Sequence, residues 1–490
     1  MSARPETMPA PPARAAGAAR SAITLRLERD GTLVIVLSAF AIVMLLALRH
    51  GLVVDGWMAL VSGREVAQHG LPVHDALTVW AHGRRWTDQQ WLAQLGLYEL
   101  VRLGGIKLAL FFHALLGVSA VVGAAALARR LGASARSAAW ICLPVFVAFY
   151  PEAAVLRPQS FGYPLFVAVL WLLALDARSP SRRVFLVCPL LALWANLHGS
   201  ALLGAALVAL AGLSQLADGL LARPRRLSAR ALALVIAPPL CLLASPYALQ
   251  LPAYYQQVLH GGDFSRFVSE WAPTTLTPAT APVYGLVIFG MWLLGRSGAR
   301  VSTFEKLAFI ATAALAFEAV RNTAWLGLVA LVVLPRLLDD LRRAPAVEPR
   351  RLNRVLGAAI PAFVLLTALG VAAKPDGWFT AGFPSAAADA AAHGRVFAMS
   401  PYADWLLWTH PELRGRVAFD ARFELFSSAD VGRLGAFEAQ LDGWQQSLAG
   451  YTTVVLDARK NQGQRDALVH TKQAQVVYSD SDIIVLRLRA

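Results

Sequence analysis

Eleven apolar stretches separated by short arginine-rich connections constrain the fold more than any other feature of this sequence. A bilayer core needs about 20 apolar helical residues per crossing, and inside it only helices and closed barrels satisfy their own backbone groups. The stretches fall at about 32–49, 106–128, 137–150, 160–176, 184–197, 200–221, 231–245, 281–295, 303–320, 323–340 and 355–373. At 57% hydrophobic and 16% charged residues, the chain departs from globular proteins, which run at about 45–50% and 25%. The expected class is an α-helical polytopic membrane protein with eleven transmembrane helices.

The net charge of +14 does not point to nucleic acid, because the arginines sit in short loops between apolar runs. Arg129-Arg130 with Arg136, Arg178 with Arg182-Arg183, Arg223 to Arg230, Arg296 with Arg300, and Arg342-Arg343 with Arg350-Arg351 all fall in alternate loops, as does the N-terminal tail. The positive-inside rule places that set in the cytoplasm and, after an odd number of spans, the C-terminal segment outside. Residues 1–30, rich in Ala, Pro and Arg, read as a disordered cytoplasmic tail. The following apolar run lacks a small-residue cleavage site, so it is expected to be retained as a span. Cys142, Cys188 and Cys241 lie in apolar segments and suggest no disulfide framework.

The first outer loop, 50–105, is far longer than a turn between two spans requires. Trp57, Leu60 and Val61, then Trp91, Leu95 and Tyr98, follow helical spacing. Both runs read as amphipathic helices lying in the interface with tryptophan at headgroup level, the second closed by Gly104-Gly105. Polar residues collect on the same side: Asp55, Arg157 and Gln159, His198, Tyr247, Glu270, and Arg321 with Asn322. Each has a plainer reading alone. The arginines could snorkel to lipid phosphates, His198 could turn a hairpin, Glu270 could pair with Arg266, and Asp55 could be a solvated loop carboxylate. Independent anchors would scatter to both faces, and none of these motifs has a cytoplasmic counterpart in the sequence. Their one-sidedness argues for chemistry at the outer leaflet.

These residues resemble the GT-C superfamily of integral membrane glycosyltransferases, and more closely a bacterial group with an extracytoplasmic C-terminal domain. The resemblance rests on Asp55-Gly-Trp57, Gly63, His69-Gly-Leu-Pro72, Asp75, Trp86 to Trp91-Leu92, Arg157-Pro-Gln159, Trp194 to Gly199, Ser245-Pro-Tyr247 and Glu270-Trp271. It covers nearly the whole chain and implies a sugar donor carried on a polyprenyl phosphate. The acceptor would be an envelope glycan, lipid or protein. By matching position Asp55 is the acidic residue that serves such enzymes as general base or metal ligand. Better-known branches carry paired acids there, whereas Gly56 and Trp57 follow here. A divalent metal therefore stays open, with no ligand set assigned. In this reading Asp55, Asp75 and Glu270 are the catalytic candidates, with Asp75 and His198 also facing the acceptor. Arg157 and Arg321 clamp phosphate, and Gln159, His198, Tyr247 and Asn322 contact substrate.

From residue 374 to 490 the pattern changes. β-type runs at 395–399, 416–419, 453–456, 475–478 and 483–486 alternate with helical patterns near 402–409, 432–448 and 463–471. A small, mainly parallel α/β domain is expected behind the transmembrane domain 31–373. Phe419-Asp-Ala-Arg422 and Leu456-Asp-Ala-Arg459 put Asp at the end of a strand, as a ligand site or as a simple turn cap. Two other functions fit the same sequence: a transporter or flippase of lipid-linked glycans, and a non-catalytic envelope-assembly protein.

Overall fold

Each expected apolar stretch forms a helix in the computed structural model, which describes residues 14–221, 228–259, 269–342 and 349–489. Arg223, Arg225, Arg226, Arg266 and Arg343 lie outside the described residues. The helices are α1 (Arg14–Ala47), α2 (Val54–His69), α3 (Trp91–Arg130), α4 (Ala135–Ala153), α5 (Gly162–Asp176), α6 (Val187–Leu197), α7 (Ala201–Leu221), α8 (Ala229–Leu242), α9 (Leu251–Leu259), α10 (Ala281–Ser297), α11 (Thr303–Glu318), α12 (Thr323–Leu341) and α13 (Arg350–Ala372). Among the described residues, five segments are long and apolar enough to cross a membrane: Glu28–Ala47, Trp91–Arg130, Pro158–Asp176, Ala201–Leu221 and Arg350–Ala372. The chain is a multi-pass membrane protein. Helix α1 starts at Arg14, so more than half of the tail expected to be disordered over 1–30 is helical.

Helix α12 forms the axis of the membrane core, with every residue from Thr323 to Leu337 buried. Near its N-terminal end Trp325 packs 4.8 Å from Tyr163, 4.9 Å from Phe166 and 6.1 Å from Trp194 between ring centroids. This aromatic layer is a rigid floor beneath that end of the helix bundle. The opposite ends, expected to face the cytoplasm, are not merely basic, contrary to the sequence expectation. Glu305 receives Arg178 at 2.9 Å and also Arg336, Asp176 pairs with Arg230, and Asp339 accepts from Ser134 and Ser137. Closed pairs of this kind neutralise buried charge and clasp helices together.

Both helical runs of the first outer loop are present. Helix α2 is the first, and the second is the opening of α3, set off by a break at Gly104 and Gly105. Gly105 takes φ +72°, where a side chain would be strained. Helices α2 and α3 touch backbone to backbone: a Cβ on Gly63 would lie 2.2 Å from the Gln94 carbonyl oxygen.

Three of the four tryptophans of this loop are buried against protein and do not serve as interface anchors. Trp57, Trp80 and Trp86 are 2%, 8% and 3% exposed and share one core with the C-terminal domain. Trp57 meets Phe383, Trp80 stacks on Phe419 at 4.9 Å, and Trp86 lies under the Arg422 guanidinium at 4.1 Å. An aromatic face is equally at home against lipid or protein, which is why the sequence pattern could not separate the two.

The C-terminal domain adds α14 (Ser385–Ala391), β1 (Val396–Ala398), α15 (Ser400–Thr409), α16 (Ser428–Glu438), β2 (Thr453–Asp457), α17 (Gln462–His470), β3 (Ala474–Ser479) and β4 (Ile483–Leu488). The sheet order is β1-β2-β4-β3. Only β1 and β2 run parallel; β2–β4 and β3–β4 are antiparallel, so the expectation of a mainly parallel sheet is corrected. The cause is the tight turn at Asp480, since so short a connection permits only an antiparallel pair. The run expected as a strand at 416–419 is extended but forms isolated bridges, joining Val417 to Val396 of β1 and to Thr78 of the outer loop. Val79 N donates to Val417 O at 2.8 Å and Trp80 N to Ala418 O at 3.0 Å. Loop and domain are thereby stitched into one body.

Candidate functional site

The ends of α2, α4, α5 and α12 expected to face outward bring their polar residues to one place. Asp55 stands in the first turn of α2, where a carboxylate is favoured by the helix dipole. Arg157 follows α4 in extended conformation, held there because Pro158 disfavours helix at the residue before it. Its guanidinium collects three carboxylates. Nε lies 2.8 Å from Asp55 Oδ2, Nη1 donates to Glu152 Oε2 at 2.9 Å, and Nη2 donates to Glu270. Glu152 is 4% exposed, whereas Asp55 is 36% exposed and remains open to a ligand. Burial works against the Arg157 charge, but Asp55 and Glu152 more than reverse it and hold its pKa above the ordinary value. Glu152 escaped the sequence reading because it ends an apolar run; its signal was the proximity of Pro151-Glu152 to Arg157.

Arg321 is held by neutral groups. Its Nη2 donates to Gln159 Oε1 at 3.0 Å, and its plane lies 4.6 Å over the Trp271 ring. Gln159 in turn donates to the Tyr163 hydroxyl at 3.1 Å. His198 caps the entry to α7: its Nδ1 accepts from Ser200 N at 3.0 Å and meets Ser200 Oγ at 2.8 Å. An Nδ1 that accepts leaves the ring proton on Nε2. Burial, then the charges of Arg321 and Arg157, push the His198 pKa down to about 3. The imidazole is therefore a neutral donor at physiological pH.

Three of the expected site residues are used elsewhere. Asp75 is a tether: its oxygens accept from Leu77 N, Thr78 N, Thr78 Oγ1 and Arg422 Nη2 at 3.2, 3.1, 2.8 and 2.6 Å. Burial pushes that carboxyl up, but Arg422 and Thr78 outweigh it, leaving the pKa below the ordinary range. A carboxylate so saturated is a poor base, which corrects the catalytic expectation for Asp75. The Tyr247 hydroxyl donates to Pro72 O at 2.8 Å and fixes the outer loop. Asn322 Nδ2 donates to Leu315 O at 2.9 Å and closes the turn after α11.

The two Asp-Ala-Arg motifs part company. Asp457 Oδ1 accepts from Arg459 N and Lys460 N and simply caps a turn. Asp420 accepts from Arg422 Nη2 at 2.5 Å, and Arg422 reaches on to Asp75. Behind this link Asp404 is buried, and burial and Asp420 push its carboxyl well above the usual range despite Arg422. The Asp55 charge acts on both Asp404 and Glu424, so the C-terminal domain borders the site. Nothing local in the sequence announces that contact.

Asp55, Glu152 and Glu270 each face a different nitrogen of Arg157 and not a common point. Among the described residues, no three His, Cys, Asp or Glu side chains gather as metal ligands.

No family model matches the chain, and no curated protein matches it in sequence. Solved structures do. The Archaeoglobus fulgidus oligosaccharyltransferase tethered with an acceptor peptide aligns at TM-score 0.55 and 13% identity, over 93% of this chain and 74% of that one. The same archaeal enzyme with an inhibitory peptide and a dolichol-phosphate aligns at TM-score 0.52 and 13% identity, over 88% and 70%. ArnT from Cupriavidus metallidurans bound to undecaprenyl phosphate aligns at TM-score 0.47 and 17% identity, over 91% and 97%. The chain shares its fold with the archaeal oligosaccharyltransferase, and in this chain a multi-pass helical domain is followed by a small C-terminal α/β domain.

Proposed function

We propose that this protein is a glycosyltransferase of a bacterial inner membrane. It takes a sugar from a polyprenyl-phosphate donor and transfers it to an envelope glycan, lipid or protein at the outer face. The observation that carries this reading is one guanidinium holding Asp55 at the membrane exit, with Arg321 and a neutral His198 beside it. A dolichol-phosphate bound to the archaeal enzyme of the same fold supports the donor class.

Transfer with inversion needs a base and an anion site. Asp55 accepts the proton of the acceptor hydroxyl as that oxygen attacks the anomeric carbon. The bond from that carbon to the phosphate oxygen breaks, and the oxygen leaves with its electron pair. Arg321 is the better phosphate clamp, because its partners are neutral and its planar fork matches phosphate. Arg157 screens the three carboxylates and becomes available to phosphate when Asp55 turns to the acceptor. His198 Nε2–H supplies a further neutral donor. Glu270 is the reserve carboxylate.

In proteoliposomes supplied with labelled polyprenyl-phosphate sugars, Arg321→Ala is expected to lower transfer by about 10²–10³-fold, the usual cost of removing an oxyanion donor. An Arg321→Ala protein that transfers like wild type overturns the clamp.

A further inference from the structure

Next to the Arg157–Arg321 group lies a second set of polar side chains that the reaction above leaves unused. It comes from Trp86-Thr-Asp88-Gln89, just before α3, with Glu424 opposite in the C-terminal domain. Asp88 is 2% exposed and Gln89 6%. Buried polar atoms are paired in more than about 90% of cases. Here Asp88 Oδ2 and Gln89 Oε1 have no hydrogen-bond partner.

Their surroundings are polar and adjoin the donor end. Gln89 Nε2 donates to the Tyr254 hydroxyl at 3.1 Å, and the Tyr255 hydroxyl donates to Gly199 O at 3.2 Å. Gly199 has no side chain to cover Gln89: a Cβ there would stand 3.2 Å from Gln89 Oε1. It directly follows His198, on which the Arg321 charge acts, and His198, Gly199 and Glu424 are only half-buried, so the set adjoins the phosphate clamp. On the far side Gln257 Nε2 donates to Glu424 O at 2.8 Å and ties α9 to the C-terminal domain. Burial raises both Asp88 and Glu424 to about 7, with Arg422 opposing in each case.

The ligand chemistry follows from what is missing. Two buried oxygens lack donors, and the nearby cation, Arg422, is already bound to Asp75 and Asp420. Arg422 keeps one unpaired nitrogen, Nη1, but its charge is already matched twice over by Asp75 and Asp420, so an anion there meets mainly the Asp88 and Glu424 carboxyl groups. A neutral ring bearing several hydroxyls supplies donors to Asp88 Oδ2 and Gln89 Oε1 and accepts a hydrogen bond from the acid form of Glu424. We infer that Asp88, Gln89 and Glu424 form the subsite for the donor's sugar ring, that the sugar is neutral, and that the C-terminal domain completes its site. This deepens the glycosyltransferase reading and rests on it.

The test measures affinity of the full-length protein in nanodiscs for bare polyprenyl phosphate, for a panel of polyprenyl-phosphate hexoses and pentoses, and for a polyprenyl-phosphate uronic acid. At least one neutral sugar lipid is expected to bind about tenfold more tightly than the bare lipid, and the uronic acid no more tightly than the bare lipid. In Gln89→Ala the ratio of sugar-lipid to bare-lipid affinity is expected to fall about tenfold, the weight of one lost hydrogen bond to a buried group. Gly199→Ala, which places a methyl against Gln89 Oε1 and leaves every polar group intact, is expected to lower the same ratio. Wild-type protein that binds bare and sugar-bearing lipids alike, or variants that move both affinities together, overturns the subsite alone. Wild-type protein that binds no polyprenyl phosphate overturns the donor reading and the subsite with it.

Discussion

Asp55→Asn is expected to lower sugar transfer by about 10²–10⁴-fold, the usual contribution of a positioned base, with the melting temperature in detergent nearly unchanged. The substitution keeps shape and removes only the proton acceptor. Arg157 retains Glu152 and Glu270, so no buried cation is stranded. Asp55 is the most exposed of the three carboxylates on Arg157, which is what a group that must meet an acceptor requires. Rate and melting temperature are read on the same preparation. Full transfer by Asp55→Asn would remove the base and shift attention to Glu270. A variant that loses transfer only by unfolding would show it in the melt.

The second large effect is on assembly. Arg422→Met is expected to destabilise the docked C-terminal domain by about 3–5 kcal/mol, as when one partner of a buried ion pair is removed. The Arg422 side chain is 2% exposed, and its partners Asp75 and Asp420 are 0% and 1% exposed, so both carboxylates lose their counter-charge away from water. The cation also leaves the face of Trp86. Limited proteolysis between α13 and α14 should accelerate, and the melting transition should fall or split. Adding Asp75→Asn and Asp420→Asn removes the stranded charges and should restore most of the loss. A single Arg422→Met protein as resistant as wild type would mean that the backbone contacts at Val417 and Ala418 hold the domain unaided.

The positions of the apolar helices were legible because apolar length is set by the bilayer, a solvent that acts on every residue alike. The Asp55, Arg157, Glu270 and Arg321 group was legible for a related reason: ionisable residues at span ends are costly enough to stand out. What stayed hidden depends on partners remote in sequence. Asp75 and Arg422 are 347 residues apart, and no local pattern says that one loop carboxylate is bound while another is open. Tyr247 and Asn322 look functional because they are polar at an outer end, yet one fixes a loop and the other closes a turn. Glu152 was masked by the apolar run that precedes it. The buried ion pairs of Asp176 and Glu305 were masked likewise, each lying among the arginines that suggested a cytoplasmic side.

The most direct measurement reconstitutes wild-type protein into sealed proteoliposomes with a polyprenyl-phosphate sugar labelled in both sugar and phosphate, plus a cell-envelope acceptor fraction. The expected result is separation of the two labels: sugar in the acceptor, phosphate on the lipid, and loss of that separation in Asp55→Asn. Intact donor moved from one leaflet to the other, with both labels still joined, would contradict the glycosyltransferase reading and make this protein a transporter.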